Sequence, residues 1–317
     1  MLVTSTFEKH IKFIQQQTNK ALAKIPLESN LSNYFYDPIK YVLKGKGKRL
    51  RPVLVHLSGQ VYEAHPEDLM KLAIAVELLH NFSLVHDDIM DNDSKRHGQP
   101  SVHYKWDIPT AILAGDGLFT LAQLSLVGLD GHIHKRFNEV ALDVCEGQVM
   151  DKEYENDHSV EMDRYIQMIG KKTASFLGMC SELGAVLGGA SKQEADNLYQ
   201  FGYYLGLAFQ IKDDYLEIYG NEELMGKSLG SDIDENKQTI LALVARRMNS
   251  KEWSSFIQTS RKFKDYKDYF EFNGVKKEVE ELIELNVKKA LTGLNMIPTN
   301  NAIQLNNYAK LILNRKF

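Results

Sequence analysis

Residues 69–91 read LMKLAIAVELLHNFSLVHDDIMD, a run without proline or glycine. Its apolar side chains recur every three or four residues, the spacing that gathers them along one side of an α-helix. The run predicts a single long helix ending in aspartates. Residues 197–217, NLYQFGYYLGLAFQIKDDYLE, repeat the pattern and again end in acids. Gly202 and Gly206 lower helix propensity there but let a neighbouring helix approach closely. Further amphipathic stretches around 109–129, 135–154 and 162–187 read as helical scaffold. The expected fold is all-α, a helical bundle with two-fold character and no repeat at the level of sequence.

Composition agrees. Seven prolines and 44% hydrophobic residues suit long helices around a sizeable core. A length of 317 residues could hold two domains, yet no shift in composition divides it, so a single domain over 1–317 is expected. The net charge of −4 comes with lysines and arginines scattered among acids, which argues against a nucleic-acid partner. Two cysteines, Cys145 and Cys180, have neither the count nor the spacing of a disulfide framework or zinc site, and a reducing cytoplasm fits them. The first residues do not read as a signal peptide, and no segment reads as a membrane span.

Asp87, Asp88 and Asp91 stand at i, i+1 and i+4, so Asp87 and Asp91 share one helix face with Asp88 alongside. Like charges so placed repel one another, and a helix C-terminus disfavours anions further. Hard divalent cations take oxygen ligands, and magnesium is commonly held by one or two carboxylates together with substrate phosphates. Asp213, Asp214 and Glu217 repeat the spacing, with Gln210 on the same face. Two matching acidic clusters, facing one another across a cavity, would hold magnesium ions with a diphosphate between them. Basic residues stand nearby: Arg96 after the first cluster, Lys172 before TASFLG, and Lys227 and Lys237 around a glycine-bearing loop. In GKGKRLRP, residues 45–52, Lys48 and Arg51 could grip a second diphosphate, although each basic group alone also suits a solvated surface. The full Walker spacing is absent, which argues against a nucleotide loop.

The order GKGKRLRP, ELLHNFSLVHDDIMDND, GQVMD (147–151), GKKTASF (170–176), FQIKDDYLE (209–217) and GKSLGSDIDENKQT (226–239) resembles the trans-isoprenyl diphosphate synthases, including farnesyl and geranylgeranyl diphosphate synthases. The resemblance implies an isoprenoid-synthase helical bundle around a central substrate cavity, acting as a homodimer. It implies a prenyltransferase that condenses isopentenyl diphosphate with allylic diphosphates (dimethylallyl, geranyl, farnesyl) using three magnesium ions. Asp87, Asp88, Asp91 and Asp213 would bind the metal, with Asp214 and Glu217 more peripheral. Arg96, Lys172, Lys227 and Lys237 would hold the allylic diphosphate. Lys48, Arg51 and His80 would hold isopentenyl diphosphate, and Thr173 and Gln210 would lie near the reacting carbons.

Three positions depart from the family pattern. His97 stands where a second arginine is usual, which predicts a weaker and pH-sensitive site for isopentenyl diphosphate. Glu217 replaces an aspartate, and Asn236 replaces a glycine. Chain length is set in this family by bulk below the first acidic motif. Phe82, five residues before Asp87 and so about 7.5 Å down the helix, with small Ser83 beside it, suggests a product of fifteen to twenty carbons. Phe82 is equally suited to ordinary core packing. The competing readings are a longer-chain synthase, a terpene cyclase, which usually carries only one aspartate-rich motif, and a non-catalytic subunit, expected to lack one acidic cluster.

Overall fold

The structure, a computed structural model, describes residues 2–27, 34–45, 47–155, 157–220, 237–259, 262–297 and 299–313. Lys227, Asn236 and the C-terminal Arg315, Lys316 and Phe317 lie outside them. The described chain is helical apart from two short strands, as the periodicity predicts. It divides into two compact units: Met1–Ala141, Met179–Tyr199 and Met296–Asn307 form the first, and Leu142–Gly178, Gln200–Asn295 and Tyr308–Phe317 the second.

The first unit is organised around helix α4, Pro66–Met90, which packs on α3, Leu50–Gln60, and on α6, Ile108–Ser125. Helices α1, Leu2–Leu22, α2, Tyr36–Leu43, and the short α5, Val102–Lys105, lie against these. Pro66 occupies the first turn of α4, where its missing N–H costs nothing, and Glu67 and Asp68 complement the positive end of the helix dipole. The helix ends at Asp91. Asn92 turns left-handed (φ 54°), and the N–H groups of Asn92 and Asp93 return to the carbonyls of Ile89 and Asp88. That pair of bonds is a Schellman closure, so the acidic motif coincides with a tightly defined helix end.

By length and composition α4 could cross a membrane, contrary to the reading that no segment could, and 56% of its apolar window is buried inside the protein. Leu69, Leu72, Val76 and Leu79 are fully buried, so its hydrophobicity is that of a core helix. Gly115 of α6 makes room for the His86 ring: a Cβ there would sit 2.2 Å from Nε2.

After α4 the chain forms a two-stranded hairpin. Strand β1, Lys95–Arg96, pairs antiparallel with β2, Gln99–Pro100, through a turn in which His97 (φ 53°) and Gly98 (φ 75°) are both left-handed. Two positive φ values are what a two-residue primed turn needs, and His-Gly supplies them at low cost.

The second unit contains the C-terminal part of α7, Gly131–Tyr154, all of α8, Met162–Ile169, and the latter part of α10, Lys192–Tyr219. It continues through α11, Ile240–Met248, α12, Ser250–Ile257, α13, Phe263–Phe272, and α14, Val275–Thr292. Trp253 anchors its far core among Phe256, Tyr266, Tyr269 and Phe270. Helix α9, Ser175–Leu187, belongs to both units, and α15, Thr299–Leu313, closes the described chain.

One π-helical turn, Gly170–Ala174, joins α8 to α9. Such turns insert an extra residue and are frequent at functional sites. Glycines hold it on two sides. A Cβ on Gly147 of α7 would lie 2.3 Å from Lys172 N, and one on Gly206 of α10 would lie 2.6 Å from Ala174 Cα. Gly202 likewise admits the Leu177 carbonyl, which explains why α10 carries two glycines despite their helix cost.

Candidate active site

In the first unit, Asp87 and Asp91 are half-buried at the end of α4, whereas Asp88 is only 3% exposed. Arg96 returns along the hairpin onto Asp88: its Nε donates to Oδ1 at 2.7 Å, a terminal nitrogen donates to the same oxygen, and a further bond of 3.0 Å reaches Asp93. Burial pushes the Asp88 carboxyl up to about 6, and the attraction of Arg96 only partly opposes it. Arg96 here neutralises carboxylates that the helix dipole and mutual repulsion would otherwise destabilise.

The basic loop is built around a residue that sequence reasoning passed over. Arg49, between the two flagged cations, is left-handed (φ 49°) and 5% exposed. Its Nη1 donates to Glu77 at 2.6 Å, Nε to Asn19 at 2.8 Å, and Nη2 to the carbonyls of Gly45 at 2.9 Å and Leu43 at 3.2 Å. Gln15 of α1 adds a bond to the Lys48 carbonyl at 2.7 Å. These contacts tie α1, α2 and α4 to the segment that presents Lys48 and Arg51. Only an unexplained buried glutamate, Glu77, could have signalled this partner.

The loop meets the expected cationic cluster. His80 is held well below the usual histidine range, first by burial and then by Arg51, His97, Arg96 and Arg49. His97 is lowered by burial, then by Arg96, Arg49 and Lys48. The tertiary structure therefore brings Lys48, Arg51, His80, Arg96 and His97 within electrostatic reach of one another and favours neutral histidines among permanent cations. An anion entering this cluster would reverse that balance.

Phe82 stands edge-on to His86, with centroids 4.8 Å apart, and against Phe119 of α6 at 5.3 Å. Ser83 turns its hydroxyl back to the His80 carbonyl at 2.9 Å. The predicted bulk below the first motif is thus a three-ring layer: His86 stands one turn on along α4, and Phe119 of α6 is the member that spacing along α4 could not supply.

In the second unit the acidic motif of α10 lines a cavity of about 140 Å³. Asp213, Asp214, Glu217 and Gln210 come from α10, Asp151 from α7, Lys172 from the π turn, and Lys237 from the segment before α11. Lys172 Nζ donates to Asp151 at 2.5 Å. Asp151 gives the GQVMD motif its physical meaning: it is the counter-ion of a lysine 21 residues on.

Asp214 is engaged on both oxygens. Oδ2 accepts from Tyr165 Oη at 2.7 Å and from Ile240 N at 3.2 Å, and Oδ1 accepts from Gln210 Nε2 at 3.2 Å. Gln210 in turn receives the Thr173 hydroxyl on Oε1 at 3.0 Å. Burial pushes the Asp214 carboxyl up to about 6, and these hydrogen bonds oppose the rise. Glu217 is buried as well, while Asp213 is half-buried.

Among the described residues no group of three or more His, Cys, Asp or Glu side chains forms a ready-made metal cage. The donors nevertheless suit magnesium, which prefers one or two carboxylates and completes its octahedron with phosphate oxygens and water. Asp88 and Asp214 are both engaged by protein donors.

The chain is similar to known proteins over most of its length. The family model described as polyprenyl synthetase matches residues 32–273. A short chain isoprenyl diphosphate synthase of Methanothermobacter thermautotrophicus is 38% identical over 250 residues, 77% of this chain and 75% of its own. A geranylgeranyl diphosphate synthase of Saccharolobus solfataricus is 45% identical over 205 residues, 62% of each chain. The crystal structure of a geranylgeranyl pyrophosphate synthase superposes with a TM-score of 0.89 at 35% identity, covering 97% of this chain and 99% of that one. The corresponding synthetase from Pyrococcus horikoshii gives 0.90 at 28% identity, covering 98% and 99%. The chain belongs to the polyprenyl synthetase family, whose chemistry is prenyl transfer.

Proposed function

We propose that the protein condenses isopentenyl diphosphate with an allylic diphosphate and releases diphosphate, yielding farnesyl or geranylgeranyl diphosphate. The observation that carries this reading is the cavity of the second unit, where carboxylates, Lys172, Lys237 and Gln210, itself bonded to Thr173, converge within the matched segment. Lys172, Lys237 and Lys227, with Arg96, hold the allylic diphosphate. Lys48, Arg51, His80 and His97 hold isopentenyl diphosphate. The allylic C–O bond breaks with its electrons leaving on the diphosphate, the isopentenyl double bond attacks the cation to form the 1′-4 bond, and a proton passes to the departing diphosphate. Thr173 and the Gln210 carbonyl orient dipoles toward the positive charge, while Met168 and Ile169 present apolar surface to the same cavity.

Magnesium, three ions held by Asp87, Asp91 and Asp213, with Asp88, Asp214 and Glu217 outside, would supply Lewis acidity to the leaving group. A product of fifteen to twenty carbons is supported by the Phe82, His86 and Phe119 layer and by relatives named farnesyl and geranylgeranyl diphosphate synthase. The working form is a homodimer of one-domain chains, supported by exposed Ile108, Ile112, Leu113 and Leu124 on α6. A reducing, cytoplasmic setting is supported by free thiols at Cys145 and Cys180. The test is incubation with magnesium, labelled isopentenyl diphosphate and dimethylallyl, geranyl or farnesyl diphosphate in turn. One to several five-carbon additions ending at twenty carbons or fewer are expected, and absence of elongation with every primer would overturn the reading.

A further inference from the structure

The middle member of the second acidic motif, Asp214, is enclosed by protein donors. Asp214 is nine-tenths buried and meets three donors from three elements: Tyr165 of α8, Gln210 of its own helix, and the first N–H of α11. The last contact places a carboxylate at a helix N-terminus, where the dipole favours an anion. An ionised carboxylate only accepts hydrogen bonds, so the Gln210 amide must present its NH₂ to Asp214 and its carbonyl to Thr173. We propose that Asp214 and Tyr165 are positioning residues that fix the polarity of the Gln210 amide, and that Asp214 is not a metal ligand.

The consequence is chemical. Gln210 lines the cavity, and its carbonyl oxygen has a second lone pair beyond the one used by Thr173. With the amide in this orientation, the cavity meets the negative end of the dipole, the end suited to the carbocation of the proposed reaction, on which this inference rests. Asp214→Asn preserves shape, but its one remaining oxygen is claimed by the Ile240 N–H, which can only donate, so its NH₂ falls opposite the Gln210 NH₂. Two donors cannot pair, so Gln210 turns over, offers its carbonyl to Asn and its NH₂ to the Thr173 hydroxyl, which can accept as readily as donate. The cavity then meets the positive end. Tyr165→Phe removes one of the three donors and loosens the same arrangement without reversing it.

Two measurements separate this role from metal binding and from a structural role. In calorimetric titration with magnesium and inorganic diphosphate, Asp214→Asn should keep wild-type affinity within about two-fold, whereas Asp213→Asn should weaken it about ten-fold or more. In steady-state elongation, Asp214→Asn should lower kcat about 100-fold with the KM for isopentenyl diphosphate unchanged, and Tyr165→Phe should lower it about ten-fold. Loss of magnesium affinity in Asp214→Asn equal to that of Asp213→Asn would overturn the proposal, as would wild-type kcat per active site in a well-folded Asp214→Asn. A wild-type protein that elongates no primer would instead overturn the proposed reaction, and the calorimetric comparison would still decide the role of Asp214.

Discussion

Replacing Arg49 with methionine is the sharpest test of how the basic loop is built. The guanidinium and the Glu77 carboxylate are 4% and 3% exposed and 2.6 Å apart, so truncating the arginine leaves an anion buried without its counter-charge. Breaking a buried pair from one side costs about 3–5 kcal/mol, mostly desolvation of the abandoned charge. Arg49 also serves Asn19 and the carbonyls of Leu43 and Gly45, and the loss of those bonds holds the cost at the upper part of that range. A double variant, Arg49→Met with Glu77→Leu, removes both charges and should recover most of the loss, since well-packed apolar pairs replace buried ion pairs at little cost. The assay is equilibrium urea unfolding followed by far-UV circular dichroism on wild type, both single variants and the double. The interaction energy between the two sites should be at least about 2 kcal/mol. Elongation assays should show a raised KM for isopentenyl diphosphate in Arg49→Met, because Lys48 and Arg51 leave from the same loop. Additive single-variant effects, or a loss in Arg49→Met below about 1 kcal/mol, would refute the reasoning.

Other outcomes follow from the same geometry. Asp87→Ala and Asp213→Ala should each lower kcat by about three powers of ten, and near-normal turnover in either would remove it from the metal site. Phe82→Ala should lengthen the product, and combination with Phe119→Ala should lengthen it further, as read by chromatography of the dephosphorylated alcohols; an unchanged distribution would remove the ring layer as the floor. His56 is buried and lowered to about 4, first by desolvation and then by His10, so the unfolded chain takes up a proton that the folded chain refuses between pH 6.5 and about 4. Its contribution is complete above pH 6.5 and is lost as pH falls through that window, by about 3 kcal/mol in all. His56→Phe should flatten this part of the stability profile, and an unaltered slope would exclude the residue. His97→Arg should lower the KM for isopentenyl diphosphate, because an arginine stays charged where burial, and then the surrounding cations, disfavour a charged histidine; an unchanged KM from pH 6 to 8 would count against it.

Much of this protein is legible in its chain because the relevant physics is local. Helical periodicity over 69–91 and 197–217 placed α4 and α10 to within a few residues, and the repeated acidic spacing located both motifs at helix ends. The glycines of α10 announced close packing before its partner was known. The hairpin escaped because its signal is only two residues long, and the π turn because it depends on Gly147 and Gly206, distant in sequence, closing on its backbone.

Charge and spacing alone could not divide the labour among acids of the same type. Asp87 and Asp88 are neighbours, as are Asp213 and Asp214, yet in each pair the second is buried and claimed by protein donors. Those donors are Arg96, set by the fold of a hairpin, and Tyr165 and Ile240, lying 49 residues before and 26 after Asp214. Sequence determined which groups are available, because side-chain chemistry and helical phase are fixed by the chain itself. Only the tertiary structure decided which of them are buried and claimed by protein donors, because desolvation and hydrogen-bond partners exist only once distant segments have packed.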